Sequence, residues 1–380
     1  MRIGIVAGEL SGDTLGAGLI TAVHRRSADI RFEGVAGPKM IAAGCEALYH
    51  AEELAVMGIL EVVRHLPRLL GIRRALVRRW RTDPPDLIIG IDAPDFNVGL
   101  ESRLRAHGVA TVHYVCPSIW AWRQKRVRKI RRAADRVLCL LPFEKEFLES
   151  HGVSADFVGH PLADVIPAEI DVGAAKCRLG VSGKPLVALL PGSRVGELER
   201  LAREFLKTAG WLAGRSSASL VAAMATERLA AQFRKIMIET APDLPVKIVV
   251  DRTHDVLAAA DAVLIASGTA TLETALHKKP MVVAYSVSPF TYRLVKALGL
   301  MKISYFALPN LLAGRIIVPE FIQNEINPSV MGSALLDFLT NPEKRAVVTE
   351  EFAKLHRTLA RNADERAADV VLSMIGSGAE

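Results

Sequence analysis

The chain has 380 residues, 50% of them hydrophobic and 23% charged, with a mean hydropathy of +0.24. That composition excludes a disordered chain and is large enough for two globular domains, while no apolar run is long enough to span a bilayer. A formal net charge of +7 and a pI of about 9.3 suit an anionic partner: nucleic acid, an anionic membrane or a phosphorylated substrate.

The opening MRIGIVAGE reads as a first strand, since it lacks the long apolar region and cleavage pattern of a signal peptide. Apolar runs then alternate with helix-length segments. Strands are expected at Arg2–Ala7, Arg31–Val35, Leu87–Ile91, Ala110–Tyr114, Arg136–Leu141 and Asp156–Val158. A second series follows at Leu186–Leu190, Ser219–Ala223, Lys247–Val250, Ala262–Ala266 and Met281–Tyr285. Pro328 to about Ile375 reads as helical with one break near Asn341-Pro342. Strands separated by helices give parallel βαβ sheets. The expected fold is α/β, two Rossmann-like doubly wound domains facing a cleft, with C-terminal helices. The boundary falls in the Pro- and Gly-rich stretch Pro161–Gly183, giving domains at 1–165 and 166–380. Cys45, Cys116, Cys139 and Cys177 are widely spaced, with no C-x-x-C, which fits reduced thiols.

In the first half, Gly8-Glu9-Leu10-Ser11-Gly12-Asp13 follows the first strand without a G-x-G-x-x-G pattern. Glu9 and Asp13 would oppose a pyrophosphate, so the loop suits hydroxyl-bearing groups or an acceptor's polar head; it also reads as a capping turn using Ser11 or Asp13. Residues 57–81 place Ile72, Leu76 and Trp80 at helical spacing beside Arg73, Arg74, Arg78 and Arg79, in two pieces broken at Pro67 and Gly71. An interfacial helix and a helix packed on its own sheet share that pattern. In DLIIGIDAPDFN, Asp92 stands nearest the strand end, where a carboxylate can serve as general base toward a sugar hydroxyl, with Asp95 and Asn97 to orient it or hold hydroxyls. An Asx turn is the competing reading. Trp120, Trp122 and seven Lys/Arg among residues 123–132, with Arg123 a candidate to support the acceptor, read as a solvated helix face or as a site for anionic lipid, a phosphorylated sugar or nucleic acid, though no nucleic-acid-binding template is followed. His113 and His160 lie near strand ends with no metal-ligand spacing, and there is no D-x-D pair; no metal is expected.

In the second half, LVALLPGSRVGELE and AVLIASGTATLE each run from a buried strand through a glycine-and-hydroxyl turn into a helix. Helix N-termini, Gly192, Ser193 and Arg194 suit a phosphate, and Ser267, Gly268 and Thr269 repeat the device. Two such turns suggest one diphosphate-bearing ligand. Glu273, which would repel phosphate, is assigned to a sugar hydroxyl pair such as a ribose, or else it is a helix-start carboxylate. Residues 305–325 scatter Asn310, Arg315, Glu320, Gln323 and Asn324 among apolar residues and can close on a uracil, a ribose or a diphosphate.

Taken in order, VAGELSGDTLGAGLI, GVAGPKM, ELAVMGILEVVRHL, GIDAPDFN, HYVCPSIWAWRQKRV, LPFEKEF, GHPLAD, LLPGSR, ASGTATLE, LPNLLAGR and NADERAADVVL span essentially the whole chain. The ordered set resembles the lipid A disaccharide synthase family of Gram-negative bacteria, inverting glycosyltransferases. The resemblance implies a GT-B-like fold. It implies transfer of 2,3-diacylglucosamine from a UDP donor to the 6-hydroxyl of 2,3-diacylglucosamine 1-phosphate, without a metal and with UDP as part of the donor rather than a cofactor. It also implies peripheral attachment to the cytoplasmic face of the anionic inner membrane, a homodimer with exchanged C-terminal domains, and no nucleic acid. By the same resemblance Asp92 is the essential acid, Arg194 the diphosphate-binding arginine and Asn310 an asparagine near the nucleotide. Ser267, Thr269 and Glu273 face the UDP moiety, and 57–81 meets the membrane. Another UDP-sugar enzyme of this architecture, an epimerase or a glycan transferase with a soluble acceptor, is the alternative, and a basic membrane- or nucleic-acid-binding protein is the non-catalytic one.

Overall fold

The computed structural model describes residues 1–54, 59–120, 124–181, 183–288 and 305–376. They form two compact α/β units, Met1–Asp164 with Leu359–Glu380, and Val165–Thr358. The first unit holds strands β1 (Arg2–Ala7), β2 (Arg31–Ala36), β3 (Cys45–His50), β4 (Leu87–Ile91), β5 (Ala110–Tyr114), β6 (Arg136–Cys139) and β7 (Ala155–Phe157). They pair in parallel in the order β3-β2-β1-β4-β5-β6-β7. The connecting helices are α1 (Leu10–His24), α2 (Pro38–Ala42), α3 (Ile59–Thr82), α4 (Pro94–Arg105), α5 (Val127–Ala133), α6 (Pro142–Glu149) and α7 (Pro161–Val165).

Alternation along the strands divides the core of this unit. Ile3, Ile5 and Ala7 pack with Leu19 and Ile20 of α1, while Val6 and Ile88 pack with Ile72, Leu76 and Trp80 of α3. The arginine-rimmed stretch is therefore settled for its second half: Ile72, Leu76 and Trp80 are fully buried on the sheet and present no apolar face to a membrane. α3 is also one helix and not two pieces, with Pro67 inside it. Proline removes one backbone hydrogen bond, but the buried run from Ile72 to Trp80 fixes the helix on the sheet. Its C-terminal end is tied by Glu33, which accepts from Trp80 Nε1 at 2.7 Å and Arg79 Nη2 at 2.8 Å. Burial alone would raise Glu33; the Arg79 and Trp80 hydrogen bonds more than offset it and hold the carboxyl below its ordinary range.

The second unit repeats the topology with β8 (Leu186–Leu190), β9 (Ser219–Met224), β10 (Val246–Val250), β11 (Ala262–Ala266), β12 (Met281–Tyr285) and β13 (Glu320–Ile322), parallel in the order β10-β9-β8-β11-β12-β13. Its helices include α8 (Val172–Arg178), α9 (Val195–Ala213), α10 (Glu227–Thr240), α11 (Thr253–Ala259) and α12 (Thr269–Leu276). α9 buries Leu198, Leu201, Ala202, Phe205, Leu206, Ala209 and Leu212, the three-and-four spacing of one helix face. Each sheet thus reverses direction once, between β1 and β4 and between β8 and β11, the doubly wound arrangement that opens a crevice at the carboxyl ends of those strands.

The tail departs from the sequence boundary, which kept 166–380 together. The chain breaks twice after Pro328, at Asn341 and again at 360–362, where Asn362 takes a left-handed φ of 56°. The last helix, Ala363–Gly376, returns to the first unit and buries Ala367, Ala368, Val371 and Ile375 in the core under α1. Asp164 accepts from Asn362 N at 2.9 Å and Ala363 N at 2.7 Å, satisfying orphan donors at the start of that helix. Arg25 and Arg26 of the α1 C-terminal turn pair with Glu365 at 2.8 and 2.7 Å. The destination of this helix depends on apolar residues that any amphipathic helix carries, which is why local pattern did not reveal it. Among the described residues no helix is long and apolar enough to cross a membrane.

A chain ended after Leu359 should lose the buried Val371 and Ile375, each worth about 1.5–3 kcal/mol. Urea unfolding should then show the first unit, followed at Trp80, melting at lower denaturant, while the second unit, followed at Trp211, keeps its midpoint.

Candidate active site

Both reversal points carry polar residues, but they are built differently. In the second unit Leu190 of β8 pairs beside Ile265 of β11, so the turns that follow lie next to each other. Gly192 has a φ of 131°, and a Cβ there would stand 2.5 Å from the Cβ of Glu197; only glycine fits the turn. Gly268, at φ 157°, is the residue before α12, and a Cβ there would meet nothing within 4 Å. The two turns border a cavity of about 730 Å³ at the carboxyl ends of β8, β9, β11 and β12. Gly192, Ser193, Arg194, Ser267, Gly268, Thr269 and Glu273 all line it, so the structure brings these seven residues together.

The electrostatics of that cavity are mixed. Glu197, on the first turn of α9, accepts from Ser193 N at 3.0 Å and pairs with Arg194 at 3.4 Å. A carboxylate thus already sits on the cation and backbone donor that suit a phosphate. Arg194 is 73% exposed, so its guanidinium is held by little else. Arg200, which the sequence reading did not single out, supplies a second cation; its Nε donates to Ser286 O at 3.0 Å. Its three-residue spacing from Glu197, which puts both on one face of α9, was the available signal. Glu273 is largely buried and pairs with His254 at 3.2 Å; burial pushes its carboxyl up, with His254 opposing. The Ser267 hydroxyl donates to Phe306 O at 2.7 Å, which anchors the segment beside the cavity.

Asn310 behaves otherwise than expected. It is fully buried and does not line the cavity. Its Nδ2 donates to Val318 O at 2.8 Å and Glu320 Oε1 at 2.7 Å, and its Oδ1 accepts from Ile317 N at 2.7 Å and Val318 N at 3.0 Å. Glu320 in turn accepts from Phe306 N and Ala307 N, both at 2.9 Å. Asn310 and Glu320 therefore brace the segment that Ser267 holds, rather than meeting a nucleotide directly.

In the first unit the carboxyl end of β4 leads into Asp92 and Ala93, with φ of 50° and 41°. Left-handed conformations at non-glycine residues cost of order 1–3 kcal/mol each and cluster at functional sites. Asn97 holds this turn: it is fully buried, and its Nδ2 donates to Asp92 O at 2.9 Å, Ile91 O at 3.1 Å and Val6 O at 3.3 Å. It ties β1 to β4 and is a brace, not a holder of substrate hydroxyls. Asp95 is exposed and pairs with Arg126 at 3.4 Å. Glu9 and Ser11 are exposed at the end of β1. Asp13 points inward and accepts from Lys39 N and Met40 N, both at 3.0 Å, so it serves the start of α2 rather than an acceptor. Arg123 lies outside the described residues.

Beneath Asp92 lies a pair that the sequence reading left unassigned. His113 Nδ1 and Glu101 Oε1 are 2.7 Å apart, and both side chains are wholly buried. Gly90, directly across from His113 on β4, leaves the room: a Cβ there would stand 2.1 Å from Glu101 Oε1. Burial opposes charge on both groups: it raises Glu101, while the Glu101 carboxylate, and more weakly Asp92, raise His113 above its ordinary value, so the pair holds one proton between Nδ1 and Oε1. His160 differs: burial pushes it down to about 4, and its Nδ1 accepts from Leu162 N at 3.2 Å, so it stays neutral.

The sequence model of lipid-A-disaccharide synthetase matches residues 3–371. The chain belongs to the lipid-A-disaccharide synthetase family. It is 50% identical over 380 residues to the lipid-A-disaccharide synthase of Alkalilimnicola ehrlichii, covering 99% of both chains. It is also 50% identical over 376 residues to that of Erwinia tasmaniensis, covering 98% of both. Among solved structures, the kitacinnamycin glycotransferase superposes with a TM-score of 0.62 at 16% identity, covering 98% of both chains. An Anabaena protein solved with UDP and glucose gives 0.58 at 12% identity, covering 99% of both. At such identities these two likenesses speak for the shared GT-B-like fold of the synthetase family member and these proteins.

Removing one member of a buried ion pair strands the other, at about 3–5 kcal/mol, whereas apolar replacement of both is near neutral. His113→Leu should therefore lower the urea midpoint strongly, and His113→Leu with Glu101→Leu should recover most of the loss.

Proposed function

We infer that this protein transfers 2,3-diacylglucosamine from its UDP donor to the 6-hydroxyl of 2,3-diacylglucosamine 1-phosphate, releasing UDP and the β-1,6-linked disaccharide 1-phosphate. The observation that carries the reading is the match to lipid-A-disaccharide synthases from end to end, at half of all positions. The strand-end cavity of the second unit supports it. At about 730 Å³ it is within the range of small-molecule sites, roughly 300–1,000 Å³, and it offers a diphosphate two glycine turns, two arginines and two helix starts.

In this reading Asp92 takes the proton from the acceptor hydroxyl as that oxygen attacks the anomeric carbon on the face opposite UDP. One displacement inverts the donor's α linkage to β. The bond to the diphosphate breaks, and charge grows on its leaving oxygen. Arg194, with Arg200 and the backbone donors at Ser193 and Thr269, stabilises that charge; one such preorganised donor is worth about 2.7–4 kcal/mol. Glu197 must give up Arg194 and the Ser193 N–H as the diphosphate arrives. The nearby Glu273 takes the ribose hydroxyls, a role suited to a carboxyl set back from the phosphate turns.

The reading includes work at an anionic membrane surface. Arg74, Arg78, Arg81 and Arg103 are exposed around one depression of the first unit, and none has an ion-pair partner among the described residues. It also includes a homodimer with exchanged C-terminal parts, so that Asp92 and Arg194 of one site can come from two chains.

Purified protein supplied with UDP-diacylglucosamine and the acceptor in mixed micelles should release UDP and disaccharide in equal amounts; folded protein that makes neither sinks the reading. Asp92→Asn should cut turnover by a hundredfold or more, within the range of a lost general base, while UDP affinity by calorimetry holds. Arg194→Ala should weaken turnover and UDP binding together, and unchanged values for both would remove it from the diphosphate site.

A further inference from the structure

The first unit holds a second depression, of about 320 Å³, that no part of the chemistry above uses. One wall starts at Pro94, two residues beyond Asp92, and runs along α4 through Val98 and Ser102. The facing wall is α5 with the turn before it. Arg126, Lys129 and Arg132 recur there every three residues and line the depression, which places them along one helix face. Its apolar lining comes from Pro117, Ile119 and Ile130 as well as Val98. Asp95 is the one carboxylate in the lining, and it is 88% exposed with a loose 3.4 Å contact to Arg126. Lys129 and Arg132 have no ion-pair or hydrogen-bond partner among the described residues. A further guanidinium backs the wall: Arg73 Nη1 lies against Gly99 and reaches Asp95 O at 3.4 Å, while its Nε is buried without a partner.

We propose that this depression is the seat of the acceptor's phosphate, a subsite for a monosaccharide carrying a phosphate monoester, with Lys129 and Arg132 as its principal ligands. The proposal rests on the transferase reading for the identity of the sugar, and on charge, size and position for the site. Three lining cations against one carboxylate complement a phosphate monoester, which carries about −1.5 to −2 at neutral pH. The volume is at the lower end of ligand sites, roughly 300 Å³, which admits a sugar phosphate and leaves acyl chains outside. Two Cα–Cα steps separate Pro94 from Asp92, at most about 7.6 Å. An acceptor gripped here by the phosphate at one end of its ring can therefore offer the hydroxyl at the other end to Asp92. Val98, Ile119 and Ile130 give the ring an apolar floor, and Ser102 gives a hydroxyl. The larger cavity of the second unit remains for the nucleotide.

The test uses the full chain and the soluble head group. Wild-type protein should bind glucosamine 1-phosphate by calorimetry and bind glucosamine at least tenfold more weakly. The Lys129→Ala, Arg132→Ala double variant should lose that preference while UDP affinity is kept. In turnover, the double variant should raise the acceptor KM tenfold or more, about 1.4 kcal/mol, with the donor KM unchanged and kcat far less affected. Wild-type protein that does not distinguish the two sugars, or a double variant that still does, overturns the proposal. So does a double variant that loses only its attachment to phosphatidylglycerol vesicles, which would assign the cations to lipid headgroups. Protein that binds glucosamine 1-phosphate through Lys129 and Arg132 yet forms no disaccharide would keep the subsite and remove the transferase reading.

Discussion

A parallel strand delivers its chain to the same edge of the sheet as its neighbours, and the connections must then leave toward one face or the other. Where two adjacent strands send their connections to opposite faces, nothing fills the gap between them. This constraint governs both units. The strand order reverses between β1 and β4 and between β8 and β11, and the polar residues capable of chemistry gather where those strands end. The buried runs behind them, fully covered in β4, β8 and β11, give these edges a rigid base.

The two reversal points solve opposite problems. In the proposed reading that of the second unit lets backbone come close to a diphosphate; its glycines stand at positive φ and Arg194 is loosely held by Glu197. Glu197 occupies the Ser193 N–H and the Arg194 guanidinium, so an arriving anion would compete with it for both. The reversal point of the first unit, where the same reading places the general base, is a strained non-glycine pair, Asp92 and Ala93, fixed from below by Asn97. The His113–Glu101 pair lies in the same layer, a buried charge arrangement tolerated because Gly90 makes space for it. Glycine serves access in one unit and concealed polarity in the other.

Much of this was legible in the sequence, because strand ends followed by glycine or acid are local patterns. Six expected strands coincide with observed ones in both bounds: Arg2–Ala7, Leu87–Ile91, Ala110–Tyr114, Leu186–Leu190, Ala262–Ala266 and Met281–Tyr285 are largely buried runs bounded by turn residues. β3 and β13 were missed, being partly exposed edge strands with polar residues in them. At the sites the sequence left two roles open for Asp13 and Asn97, and the structure favours the bracing one. Asp13, Asn97 and Asn310 are polar residues beside functional turns, and sequence does not show whether such a side chain faces the crevice or the backbone behind it. All three face inward and bond main-chain groups, Asn310 also meeting Glu320. Ile72, Leu76 and Trp80 show the same limit for apolar residues, since a helix stripe meant for a sheet and one meant for lipid look alike.

The return of the last helix to the first unit has a consequence for how the chain is made. Synthesis proceeds from the N-terminus, and an N-terminal domain ordinarily completes itself while the remainder is still being added. Here Val371 and Ile375, which close the core over α1, emerge only after the whole of Val165–Thr358. The first unit must wait, partly open, until they do, while every residue of Val165–Thr358 has already been added. Contacts so distant in sequence slow folding, and they make the half synthesised first the one that is finished second.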